Sequence, residues 1–141
     1  ATDRGDTLVF HLGMSGRWRI DPGDIGKHDH LLLVTDEGRT LALNDPRRFG
    51  SLDLVASDSV ETWPPFLALG PEPLGGTLDA AWLKRRFAGR SAAVKLLLLD
   101  QRIVAGLGNI YVCEALFRAR IDPRRAGGRI GRARLRPLAE A

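Results

Sequence analysis

Gly106-Leu107-Gly108-Asn109, followed by Ile110-Tyr111-Val112-Cys113-Glu114-Ala115-Leu116-Phe117-Arg118-Ala119-Arg120, decides how the second half of this 141-residue chain folds. Two glycines ending in an Asn, then an apolar run, read as a tight turn feeding a helix, with Asn109 as its N-cap. Ile110, Cys113, Phe117 and Ile121 fall on one stripe at helical spacing and are expected to face the core. Asp122-Pro123 is expected to end the helix. The free N–H groups of such a terminus hold phosphate well. Arginines crowd the rest of this half, so the local physics points to a nucleic acid.

Outward from that turn the pattern stays helical. Residues 100–108 form a turn-rich link, and the apolar run at 92–99 predicts a preceding helix. Thr77 is expected to cap another over 78–88, with Leu78, Ala81, Trp82 and Phe87 toward the core. Beyond Gly127-Gly128, residues 132–140 read as a last helix interrupted by Pro137. Upstream the period changes to that of strands, at 7–12, 17–20, 29–35, 39–44 and 51–55. Trp18 and Ile20 share one face, and Asp36-Glu37-Gly38 is a hairpin signal. Between the halves, Pro64, Pro65, Gly70, Pro71, Pro73, Gly75 and Gly76 mark a boundary whose density suppresses regular structure. The expected class is α+β: a partial antiparallel β-sandwich at 1–57, a linker at 58–76, and a helical domain at 77–141 with a helix–two-turns–helix motif.

Charge divides the same way. Residues 1–70 carry 7 Lys/Arg against 11 Asp/Glu, and residues 71–141 carry 14 against 6, giving −4 and +8. The second half is therefore the one expected to meet a polyanion. An arginine-rich solvated surface is the plainer alternative. No apolar run approaches the roughly 20 residues of a membrane helix. The polar start, Ala1-Thr2-Asp3-Arg4, argues against a secretory leader. Cys113 stands alone, so neither a disulfide framework nor a four-cysteine zinc site is expected. Cytoplasmic placement fits both readings.

Four constellations could carry chemistry. In His11-Leu12-Gly13-Met14-Ser15-Gly16, Met14 is either a packed turn residue or a projecting apolar wedge. In Asp45-Pro46-Arg47-Arg48-Phe49-Gly50, paired arginines and an aromatic on a turn suit insertion into a duplex; a surface turn with Phe49 folded back is the rival. Lys27-His28-Asp29-His30 puts two imidazoles on one strand without a third metal ligand, so a phosphate contact through His28 is preferred to a metal site. In Arg90-Ser91-Ala92-Ala93-Val94-Lys95, a base near a helix N-terminus opposes the macrodipole and asks for a nearby anion; a Lys95 that snorkels from a core helix is the alternative. No phosphate-loop, dinucleotide or nucleophile-elbow pattern is present.

These pieces, with Leu69-Gly70-Pro71-Glu72-Pro73-Leu74, resemble in residues and order the bacterial formamidopyrimidine-DNA glycosylases over most of the chain, from about residue 8 to about residue 125. The resemblance implies a two-domain repair enzyme that excises oxidised purines such as 8-oxoguanine and formamidopyrimidines, then cleaves by β,δ-elimination. Met14, Arg47 and Phe49 match its void-filling triad, with Arg47 reading the orphaned cytosine. His28, Arg90 and Asn109 match its DNA-backbone contacts, and Lys95 a basic position of the helical domain. The partner implied is double-stranded DNA carrying an oxidised purine, bound by a monomer associated with DNA in the bacterial cytoplasm, with no membrane involved. The family's N-terminal Pro-Glu, catalytic lysine and four-cysteine zinc finger have no counterparts here. The expectation is a central fragment that binds damaged DNA without catalytic residues or cofactor of its own, from a parent glycosylase and lyase that holds Zn2+. The alternatives are an endonuclease VIII-type enzyme for oxidised pyrimidines and a non-catalytic DNA-binding module on the same fold.

Overall fold

The computed structural model describes residues 2–141, which form two compact units, one ending at Trp63 and the other spanning Pro64–Ala141. The strand unit carries two small open antiparallel sheets. In one, β1 (Asp6–His11) pairs with β5 (Ser51–Ala56), Phe10 standing opposite Leu52. In the other, β4 (Thr40–Asn44) lies between β2 (Arg17–Ile20) and β3 (Asp29–Val34). Register puts Trp18, Ile20, Leu31, Leu33, Leu41 and Leu43 on one face. Phe10 meets Trp18 edge-on at 5.3 Å, so β1 faces that side. On the opposite face Arg19 pairs with Asp29 at 2.7 Å, and Asn44 donates to the other Asp29 oxygen at 2.8 Å. The Gly26 N–H, then Asn44, hold the Asp29 carboxyl below its ordinary value. The antiparallel α+β reading is what the structure shows, with strand ends moved by a residue.

The 58–76 stretch is less irregular than its composition suggests. Pro64–Leu67 is a short helix, α1, and Ser57–Ser59 and Pro73–Gly75 are 3-10 turns. Pro64 and Pro65 open α1, where a missing N–H costs no helical hydrogen bond.

In the helical unit α2 (Ala80–Phe87), α3 (Val94–Leu99), α4 (Asn109–Arg118) and α5 (Arg132–Ala139) close around Leu83, Phe87, Val94, Leu97, Ile103, Val112, Leu116 and Leu135. Asp79, not Thr77, caps α2, its carboxylate accepting the Trp82 N–H at 2.6 Å. Leu83 and Phe87, one turn apart, are its buried pair. Trp82 is half-buried and donates its indole N–H to the Ile103 carbonyl. Helix α3 begins at Val94 rather than at 92, because Ala93 is extended and bridges Ala126. Its first N–H groups, from Val94 and Lys95, go to the carbonyls of Arg125 and Pro123.

Helix α4 corrects three expectations. Gly108, in extended conformation, occupies the N-cap, and Asn109 is the first helical residue, with no capping bond from a side chain. The buried stripe is Val112, Leu116 and Ala119; Ile110, Cys113 and Phe117 are exposed, and only Ile121 of the expected set is buried. The helix ends before Asp122-Pro123, where Arg120 takes a left-handed φ of 52°. The Arg120 N–H then reaches Phe117 O, and the Ile121 N–H reaches Leu116 O, closing a Schellman motif.

Candidate nucleic-acid interface

Two loops of the strand unit bring Met14, Arg47 and Phe49 together. The Arg47 guanidinium lies 4.6 Å from the Phe49 ring centroid and donates to the Met14 sulfur at 3.6 Å. Met14 is 78% exposed and Phe49 57%, so neither folds back into a core. Apolar groups left this open, beside an arginine with no carboxylate partner among the described residues, are poised to meet something outside the chain.

Beneath them Asp45 is only 4% exposed. One carboxylate oxygen accepts the Ser15 hydroxyl at 2.8 Å, and the other accepts the Gly50 N–H at 2.8 Å. These bonds, Gly50 first and Ser15 next, hold its carboxyl below the ordinary value. The Asp45 N–H reaches His28 O at 2.9 Å, and the Asp45 carbonyl accepts from the His30 Nε2–H at 3.0 Å. His28 is half-buried at the root of this loop, its ring 6.5 Å from that of His30. Arg48 takes a left-handed φ of 55° within the loop.

In the helical unit Gln101 fixes the two turns between α3 and α4. Its side-chain oxygen accepts the Gly106 N–H at 2.8 Å, and its amide nitrogen donates to the carbonyls of Leu99 and Leu107. Gly106 needs its positive φ of 79° to make the turn. Behind it the Gly70 backbone presses on Ile103 so closely that a Cβ at 70 would lie 2.5 Å from that carbonyl. Asn109 is exposed at the start of α4, its side-chain oxygen facing Cys113 at 3.9 Å. Asp100 binds Arg102 through both oxygens at 2.8 Å. Arg102, foremost through these hydrogen bonds, lowers the Asp100 pKa to about 2, with Arg90 adding a smaller attraction. Arg90 remains exposed, and Lys95 is half-buried in the first turn of α3.

The implied zinc finds no ligand set here: among the described residues no three His, Cys, Asp or Glu side chains cluster, and Cys113 is exposed on α4. No described helix is long and apolar enough to cross a membrane.

Sequence reading picked out the three exposed side chains and the turn but not what holds them. Asp45 carried a usable signal, an Asp before Pro at a turn. Ser15 and Gln101 carried none, because their partners are defined only by the fold.

Helices α3 and α4, joined by two turns pinned by one glutamine, make the second unit a helix–two-turns–helix domain. The family model for the formamidopyrimidine-DNA glycosylase H2TH domain matches residues 69–141, and that for the N-terminal domain of the same enzymes matches residues 1–52. The chain belongs to the formamidopyrimidine-DNA glycosylase family. It is 73% identical over 129 residues to the formamidopyrimidine-DNA glycosylase of Novosphingobium aromaticivorans, covering 92% of this chain and 48% of the relative. It is 63% identical over 140 residues to that of Rhizorhabdus wittichii, covering 99% and 52%. It spans about half the length of the curated relatives it matches. Among solved structures, the MutM (Fpg) protein of Thermus thermophilus superposes with a TM-score of 0.83 at 42% identity, over 98% of this chain and 50% of that one. The Lactococcus lactis enzyme, non-covalently bound to DNA containing an AP site, gives 0.84 at 32%, over 96% and 52%.

Proposed function

We propose that this chain supplies the DNA-gripping and void-filling parts of a bacterial base-excision repair glycosylase for oxidised purines, 8-oxoguanine and formamidopyrimidines. A base inside a duplex is beyond the reach of catalytic groups, so the nucleotide must be turned out, leaving a vacancy that costs stacking and pairing. Met14 and Phe49 enter that vacancy as apolar wedges. Arg47, stacked on Phe49, donates to the acceptor edge of the cytosine left without a partner. The Gly108–Asn109 turn offers backbone N–H groups to a phosphate, and His28, Arg90 and Lys95 add further backbone contacts. None of these residues is assigned to bond cleavage. Removal of the base and β,δ-elimination of the strand, and the zinc the family implies, are assigned to the rest of a parent the length of the curated relatives. The protein acts as a monomer on DNA in the cytoplasm.

The observation that carries this reading is the exposed Met14–Arg47–Phe49 cluster, in which one guanidinium touches both apolar partners. Titration of the chain against duplexes bearing one abasic site opposite each of the four bases tests it. The expected result is tightest binding opposite cytosine and weaker binding to intact duplex. Equal affinity for all five duplexes would refute the wedge.

A further inference from the structure

We infer that Asp45 is the positioning residue of the Met14–Arg47–Phe49 wedge, its buried carboxylate fixing the loops that carry all three side chains. The inference rests on the wedge reading above and adds what holds the wedge in shape. Each contact of the carboxylate falls on a chain neighbour of a wedge residue or on the residue itself. Ser15 follows Met14, and Gly50 follows Phe49. The N–H groups of Arg47 and Arg48 also act on the carboxylate. Ser15 and Asp45 are 30 residues apart in sequence, so their bond links two loops that are distant along the chain.

The backbone of Asp45 ties the same loop to the sheet, through His28 O and the His30 ring. Exposed side chains normally sample several rotamers, a freedom that is lost when binding freezes them. A loop held from below at both ends confines where those side chains start. Asp45 itself is too buried to meet a ligand, so it acts through the residues above it.

The test uses the 141-residue chain and fluorescence anisotropy with two duplexes, one intact and one with a single abasic site opposite cytosine. Asp45→Asn and Ser15→Ala are each expected to lower the preference for the abasic duplex about fivefold, the scale of one hydrogen bond. Affinity for the intact duplex should stay within about twofold. Ser15→Thr, which keeps the hydroxyl, should restore the preference, an outcome a general loss of stability would not produce. Adding Ser15→Ala to Arg47→Ala should cost less than Ser15→Ala costs alone, because one of the three positioned side chains is already gone. If Arg47→Ala lowers the preference while Asp45→Asn and Ser15→Ala do not, Asp45 is no positioning residue and the wedge stands. If Arg47→Ala also changes nothing, the wedge itself falls. Should Asp45→Asn fail to fold, the Ser15 pair decides alone.

Discussion

Gly13 and Phe49 touch through their backbones: a Cβ on Gly13 would lie 2.8 Å from both the carbonyl carbon and the carbonyl oxygen of Phe49, and Gly13 has φ +61°. Only a glycine satisfies both conditions. Gly13→Ala is expected to destabilise the strand unit by about 1–3 kcal/mol through left-handed strain and displaced backbone. Denaturant unfolding followed by tryptophan emission measures it; an unchanged midpoint would show the loops to be free of one another.

Arg47→Ala separates reading from wedging. Met14 and Phe49 still fill space, so the variant should still prefer an abasic duplex over an intact one. Its preference for cytosine over adenine opposite the gap should drop by about one to two powers of ten, the discrimination of a good Arg–base contact. Competition titration gives the ratio directly.

Asn109 is the first residue of α4 and makes no capping bond. Asn109→Ala should therefore leave thermal stability within about 0.5 kcal/mol, where loss of a cap would cost about 1. Affinity for intact and abasic duplexes should fall together, because phosphate contacts carry no sequence information. A loss confined to abasic DNA contradicts the phosphate role.

Acid should loosen the two-turn segment in a defined window. The Asp100 carboxyl has a pKa of about 2, against 3.8 ordinarily. A depressed folded value means its stabilisation is complete above the ordinary value and is lost as pH falls from about 4 through about 2. Thermal midpoints at pH 6, 4 and 2.5 should fall more steeply for the native chain than for Asp100→Asn. Parallel curves would place the acid sensitivity elsewhere.

Arg120 occupies the left-handed position of the Schellman motif, where glycine has no steric penalty. Arg120→Gly is expected to stabilise the helical unit by about 0.5–1 kcal/mol after its extra unfolded-state entropy is counted. Calorimetry checks the sign.

Strand positions were legible because a half-buried sheet alternates. Trp18 against Arg19 announces its face, whereas Leu31, Leu32, Leu33 and Val34 are apolar throughout and their alternation shows only in the structure. The face of α4 was not legible, because apolar residues stand on both sides of it. Ile110 and Phe117 form one stripe and Val112 and Leu116 another, and periodicity alone does not choose between them. Asn109 misled for a local reason: Gly108 adopts the extended cap conformation unaided, which moves the start of the helix one residue. The proposed wedge residues were visible as types on turns, whereas their mutual contact is set by sheet register and by a carboxylate 30 residues from its hydroxyl partner.

The glutamine at 101 serves three main-chain groups with a single neutral amide. The turn ahead of α4 is thereby shaped during folding by a side chain that does not titrate. On the function proposed above, a strand held there meets a mould already set, and little of the attraction is spent on ordering the protein. Its grip should then answer to salt, which competes for the anion, far more than to proton concentration near neutrality.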